Sequence, residues 1–110
     1  MCNNMNLKER IYISGAITGT NDYMERFQEA HNVLNEHGFA VYNPALICSN
    51  FPEDATYNEF MQISFCMLDM CTKICMLPGY EQSKGAMLEL QRAKEKGIEV
   101  VFFADMVCKK

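Results

Sequence analysis

Ile74-Cys75-Met76-Leu77 is an unbroken apolar run that stops at Pro78-Gly79. Within a few residues a helical pattern opens on Ser83 and spans residues 84 to 96, with Ala86, Leu90 and Ala93 inward and Gly97 just past its end. A short run with no polar alternation fits a strand buried on both faces, as in parallel sheets. Parallel strands cannot be joined by tight turns and need a crossover, usually a helix. This one strand-turn-helix unit therefore points to α/β architectures.

The rest of the chain repeats the unit. Ile11-Tyr12-Ile13 is a short β-rich run ending at Ser14-Gly15. Asn21 or Asp22 can cap a helix, with Glu25 three after Asp22 as a capping-box partner. Tyr23, Phe27, Ala30 and Leu34 carry the helical period to about His37, and Gly38 ends it. Phe39-Ala40-Val41-Tyr42 reads as a second strand, stopped by Asn43-Pro44. Residues 45 to 56 read as a loop centred on Ser49-Asn50-Phe51-Pro52. Thr56, with Glu59 three later, opens a helix whose apolar stripe is Phe60, Ile63, Met67 and Met70. Ile98 and Val100 to Phe103 supply a fourth strand. Regular alternation of strand and helix predicts right-handed crossovers and a three-layer α/β domain around a parallel sheet of about four strands. With strand order 2-1-3-4, the loops after Ile13 and Leu77 stand side by side, at the crevice where the first and third strands diverge.

A chain of 110 residues, 49% of them hydrophobic, is the size of one domain and can bury a real core. Residues 1–9 read as a lead-in and 104–110 as a tail. The net charge of −4, with no basic block beyond Lys94/Lys96 and Lys109-Lys110, argues against a nucleic-acid or anionic-membrane surface. No run approaches membrane-spanning length, and Met1 to Arg10 carries no apolar signal core. Six cysteines invite a disulfide or zinc reading, yet no CxxC pair exists. Cys66, Cys71 and Cys75 sit in a methionine-rich apolar stretch, where thiols behave as small hydrophobes. His31 and His37 lie on a helix far upstream and offer them no ligand spacing. Buried free thiols, no metal and a reducing, cytoplasmic location are the expectation.

Chemistry concentrates where the two loops meet. Gly85 and Glu89 are four apart and share a helix face. A glycine inside a helix costs roughly 1 kcal/mol against alanine. Either its missing side chain lets a small molecule reach Glu89, or it packs closely on the sheet. Tyr12 can reach Glu89 across neighbouring strand ends or simply pack beneath a helix. The loop Ser14-Gly15-Ala16-Ile17-Thr18-Gly19 lacks both GxGxxG and the GKS/T phosphate signature, though its backbone N–H groups could cradle a phosphate or sugar. Ser83 and Lys84 form either an anion site at a helix start or an ordinary cap and a solvated charge. Tyr80 can stack on a base or be an exposed turn aromatic. Asn43 can bond a ligand hydroxyl or belong to an Asn-Pro turn. A carboxylate such as Glu89 serves as general base, or it attacks an electrophilic carbon as in glycosyl transfer through a covalent intermediate. The second use normally needs another acid to protonate the leaving group.

The pairing of Ile11-Tyr12-Ile13-Ser14-Gly15 with Leu77-Pro78-Gly79-Tyr80-Glu81-Gln82-Ser83-Lys84-Gly85-Ala86-Met87-Leu88-Glu89 resembles a family of short bacterial and phage proteins of undefined function, DUF4406-like and related to nucleoside 2-deoxyribosyltransferases. The resemblance runs roughly from Ile11 to Phe103, with Leu77 to Glu89 its specific part. It implies a flavodoxin-like parallel sheet, assembly as a homodimer or larger, and cleavage of the N-glycosidic bond of deoxynucleosides or their monophosphates. It implies Glu89 as the nucleophile that attacks the anomeric carbon, Tyr12 as its orienting partner, and Gly15 in the first loop. Ser83, Lys84 and Gly85 then lie near the sugar or its phosphate. The chain departs from the pattern where the superfamily usually has aspartates, one of which assists at the nucleobase. Ser64 and Thr72 occupy those positions and supply no carboxylate, while Asp69 is nearby in sequence only.

The expected cleft is thus built from Tyr12, Ser14, Gly15, Ser83, Gly85 and Glu89, with Asn43, Tyr80 and Lys84 as further ligand contacts. The expected function is deoxyribosyltransferase-like or N-glycosidase-like, acting on a small-molecule nucleoside or nucleotide with no cofactor or metal. A non-catalytic nucleotide-binding module that kept the cleft and lost the acid is the alternative. The helix from Thr56 to Cys71 has the most apolar surface to spare for self-association.

Overall fold

Side-chain alternation along the first strand sets the architecture. A computed structural model describes residues 8–17 and 20–107. The first seven residues of the lead-in, Thr18 and Gly19 of the first loop, Cys2, Cys108 and Lys109-Lys110 lie outside the described residues. Four strands, β1 (Arg10–Ser14), β2 (Ala40–Tyr42), β3 (Lys73–Met76) and β4 (Glu99–Phe102), pair in parallel in the order β2-β1-β3-β4. The register sets Ile11 beside Val41, Ile13 beside Cys75, and Cys75 beside Val101.

Successive strand residues point to opposite faces, and the core divides accordingly. Ile11, Ile13 and Cys75 pack with Phe27, Ala30 and Leu34 of α1 (Tyr23–Glu36), with Ala45 of α2 (Pro44–Cys48) and with Phe103 of α5 (Phe103–Val107). Tyr12, Ile74 and Met76 pack on the other face with Leu68 of α3 (Tyr57–Asp69) and with Ala86, Leu90 and Ala93 of α4 (Lys84–Lys96). The result is the expected three-layer α/β fold with a doubly covered parallel sheet.

The helix starts follow local chemistry. Thr56 and Glu59 form a reciprocal capping box on α3, the Glu59 N–H donating to Thr56 Oγ1 at 3.1 Å and the Thr56 N–H to Glu59 Oε1 at 2.9 Å. Ser83 Oγ accepts the Ala86 N–H at 3.1 Å to cap α4, and Gly97 closes that helix at φ 74°.

Five expectations change. Residues 44–48 form a helix, not a loop. Asn43 Oδ1 accepts the Ala45 N–H at 3.0 Å, and Pro44 sits in the first turn, where its missing N–H costs nothing. The Asn-Pro pair that reads as a strand stop is also a helix start. Asp22 flanks α1 but makes no capping bond, because its carboxylate pairs with Arg26 one turn on at 3.0 Å. Arg26 also donates to the Ala16 carbonyl at 2.8 Å and Thr20 Oγ1 at 3.1 Å, tying α1 to the first loop. In α3 the buried face is Met61, Ser64 and Leu68, continued by Cys71, whereas Ile63 and Met70 are exposed and Phe60 and Met67 half-buried. Cys66, expected in the core, is exposed on the same helix. The tail begins as α5, held by the buried Phe103. Among the described residues, no helix is long and apolar enough to cross a membrane.

Candidate active site

Tyr12 and Ser14 are two apart on β1, so both side chains face α3 and α4. Both are fully buried. Glu89, at mid-length on α4, turns inward to meet them. The Tyr12 hydroxyl donates to Glu89 Oε2 at 2.7 Å, and Ser14 Oγ donates to Oε1 at 2.6 Å. Each carboxylate oxygen thus takes one short bond from one strand, which fixes the plane of the group.

The carboxylate is only 4% exposed. Among the described residues, no lysine, arginine or histidine stands within ion-pair distance of it. Burial pushes its pKa up to about 7, outweighing the Ser14, Tyr12 and Ser64 hydroxyls, which pull it down. Burial, with the Glu89 charge beside it, holds the Tyr12 phenol well above its usual 10, so Tyr12 remains a donor at any physiological pH. Ser64 is the third hydroxyl here. It is fully buried, it bears on the ionisation of both partners, and its Oγ has no partner in hydrogen-bond geometry.

A cavity of about 260 Å³ opens above Glu89. Gly15, Ile17 and Phe27 line one side, and Ser83, Lys84, Gly85 and Ala86 the other. Tyr57, Phe60, Pro44 and Gln82 complete it. The two glycines serve different ends. A Cβ on Gly15 would sit 3.1 Å from Leu77 Cβ and Cδ1, so glycine there lets the ends of β1 and β3 close up. A Cβ on Gly85 would stand 3.4 Å from Met61 Sδ and from the Tyr57 hydroxyl, an ordinary contact that narrows the space between α3 and α4.

The structure therefore brings together Tyr12, Ser14, Gly15, Ser83, Lys84, Gly85 and Glu89. Two expected contacts stand elsewhere. Tyr80 begins a 3₁₀ turn (Tyr80–Gln82) and packs against Phe102, ring centroids 5.9 Å apart, facing a different groove. Asn43 spends its amide oxygen capping α2, and its neighbour Pro44 reaches the cavity instead. The two positions read as replaced aspartates prove to be far apart. Ser64 lies directly behind the Tyr12–Glu89 pair. Thr72 is at the amino end of β3, where its hydroxyl donates to Glu9 Oε2 at 3.2 Å, about 13 Å along the strand from Met76. Asp69 forms a two-point pair with Arg92 at 2.7 and 2.8 Å, away from the cavity.

Tyr57 and Phe60 were missed by sequence reasoning. In a parallel α/β fold each helix starts at the carboxyl end of the preceding strand, so first-turn residues overhang the crevice. The capping box at Thr56 marked Tyr57 as such a residue. Among the described residues, no cluster of His, Cys, Asp or Glu could hold a metal ion.

The fold has a solved counterpart. The 2-deoxyribosyltransferase of the psychrotolerant bacterium Bacillus psychrosaccharolyticus superposes with a TM-score of 0.68, covering 84% of this chain and 70% of that one at 15% identity. At that identity the likeness establishes the fold and leaves the chemistry to the residues. No curated protein sequence matches this one. A family model does, along residues 9–102, from just before β1 to the end of β4. That span takes in Tyr12, Ser14 and Glu89 with the whole sheet that positions them, and by it the chain belongs to the family described as the domain of unknown function DUF4406.

Proposed function

We propose that the cavity binds a nucleoside or nucleotide and that Glu89 cleaves its N-glycosidic bond by attacking the anomeric carbon. One observation carries this reading: a buried carboxylate with no ion-pair partner among the described residues, held at both oxygens, at the floor of a cavity wide enough for a sugar. Two hydrogen bonds fix its direction and leave other lone pairs free for attack. Its scant hydration keeps it reactive, and a pKa of about 7 leaves a substantial fraction ionised at neutral pH. The sugar then passes from the glutamyl ester to another base or to water. The shared fold with a 2-deoxyribosyltransferase supports the assignment.

The test is base release from a panel of deoxynucleosides and their 5′-monophosphates. Glu89→Gln keeps shape and most hydrogen bonding but removes the attacking charge. Release is expected to fall by several orders of magnitude with little change in ligand binding.

A second reading has its own observation. Among the described residues, no carboxylate other than Glu89 lines the cavity, and neither Ser64 nor Thr72 supplies one. A nucleotide-binding module without turnover would need no second acid. Clear binding by wild-type protein with no base release from any member of the panel selects that reading. We further propose that the chain works as a homodimer or larger, the outer stripe of α3 being the surface buried between copies.

A further inference from the structure

We propose that Tyr57 is the proton donor to the leaving base, with Lys84 held beside it to steady the phenolate it becomes. The inference rests on the reading of Glu89 as nucleophile and supplies what that reading lacks, a second acid.

Among the described residues lining the cavity, only Glu89, Tyr57 and Lys84 carry a titratable proton. The Tyr57 hydroxyl stands 3.4 Å from where a Gly85 Cβ would be. Gly85 is one helical turn above Glu89, a step of about 5–6 Å between Cβ positions. The phenol and the carboxylate thus line the same cavity, the phenol beside Gly85 and the carboxylate one helical turn further along the same face of α4. Tyr57 is 46% exposed, so solvent can return its proton. Burial and the Glu89 charge keep the phenol above its usual pKa and therefore protonated when substrate arrives. Lys84 Nζ lies 6.0 Å from the centre of the Tyr57 ring, at the outer range of a cation–π contact, on the same rim of the cavity.

The steps balance. Glu89 forms a C–O bond to the anomeric carbon as the C–N bond breaks, and the electron pair of that bond goes to the base. The base nitrogen takes the Tyr57 proton, leaving a phenolate beside the Lys84 ammonium. Water then attacks the glycosyl ester, its proton returning to Tyr57 and the freed carboxylate to Glu89. An acceptor base substitutes for water when the sugar is transferred.

The experiment compares deoxyguanosine with 7-methyldeoxyguanosine, each as nucleoside and as 5′-monophosphate, on wild-type, Tyr57→Phe, Lys84→Met and Glu89→Gln proteins. The 7-methylated base departs neutral without a proton. Tyr57→Phe is expected to release guanine at least about 100-fold more slowly. It should release 7-methylguanine at close to the wild-type rate, which also shows that the variant is folded. Lys84→Met should slow guanine release by less. Glu89→Gln should lose both substrates. Equal losses on the two substrates in Tyr57→Phe, or no loss on either, overturn the role of Tyr57 while leaving Glu89 as nucleophile. A Lys84→Met defect confined to guanine release, with Tyr57→Phe unaffected, moves the acid to Lys84. Wild-type protein that releases no base from these substrates or from any member of the deoxynucleoside and monophosphate panel overturns the nucleophile reading and this inference together.

Discussion

Glu89 carries a thermodynamic signature separate from any activity. Its pKa rises from 4.5 to about 7 on folding, so between those values the folded chain holds a proton that the unfolded chain has released. Stability from this group is therefore intact below about pH 4.5 and falls as pH rises to about 7, by about 3 kcal/mol in all. Glu89→Gln removes the dependence. Urea unfolding of the variant is expected to give a flatter profile across that window and greater stability than wild type at pH 8. Gly85 shows the opposite balance of fold and function. Gly85→Ala gains up to about 1 kcal/mol of helix propensity, and its methyl meets only ordinary contacts. Thermal melting is expected to show no loss, while base release falls roughly ten- to hundredfold as the path between Tyr57 and Glu89 narrows. The Gly85–Glu89 spacing was legible in the sequence because four residues on a helix always share a face. The partnership of Ser14 with Glu89 was only half legible. Period-two alternation places Ser14 on the face of Tyr12, yet a serine at a strand end has no local mark of being buried.

At the scale of elements, apolar period was a reliable guide where one face of a helix is polar and misled where both are apolar. α1 and α4 alternate cleanly, and their buried apolar residues are ones their spacing indicates, with Tyr23 half-buried and Glu89 the added polar member. α3 has two apolar stripes one residue apart. The outer one, Phe60, Ile63, Met67 and Met70, is unbroken, whereas the inner one contains Ser64 and so reads as weaker. Only the third dimension shows that Ser64 is inward because it abuts Tyr12 and Glu89. The same polar requirement explains Asn43-Pro44, whose side-chain oxygen and fixed φ start α2 as readily as they end β2. The first-turn position of Tyr57 was available from its capping box, but its place above Glu89 depends on how α3 leans on α4.

For the whole molecule, parallel order β2-β1-β3-β4 was legible because alternating strands and helices leave few other topologies. What lies outside the chain was less so. Ile63 is 40% and Met70 54% exposed on the outer side of α3, and Met87 of α4 is 43% exposed. Ile63 and Met70 are seven apart and share one face of α3, and exposed apolar faces mark association surfaces. Sedimentation at micromolar concentration is expected to show the homodimer proposed above or a larger species. Met70→Glu with Ile63→Lys is expected to shift it to monomer without unfolding it. A wild-type protein that sediments only as monomer would remove this surface from consideration.

The two bonds that hold Glu89 join residues 77 and 75 positions apart in the chain. Between their ends lie α1, β2, α2, α3 and β3. Bringing such distant ends together costs chain entropy that no local segment can offset. The carboxylate consequently has nothing to rest on until the intervening crossovers have closed, and before then it is an ordinary hydrated glutamate with an ordinary acidity. The buried, doubly bonded carboxylate is a property of the completed sheet, absent from every fragment of the chain that omits either β1 or α4.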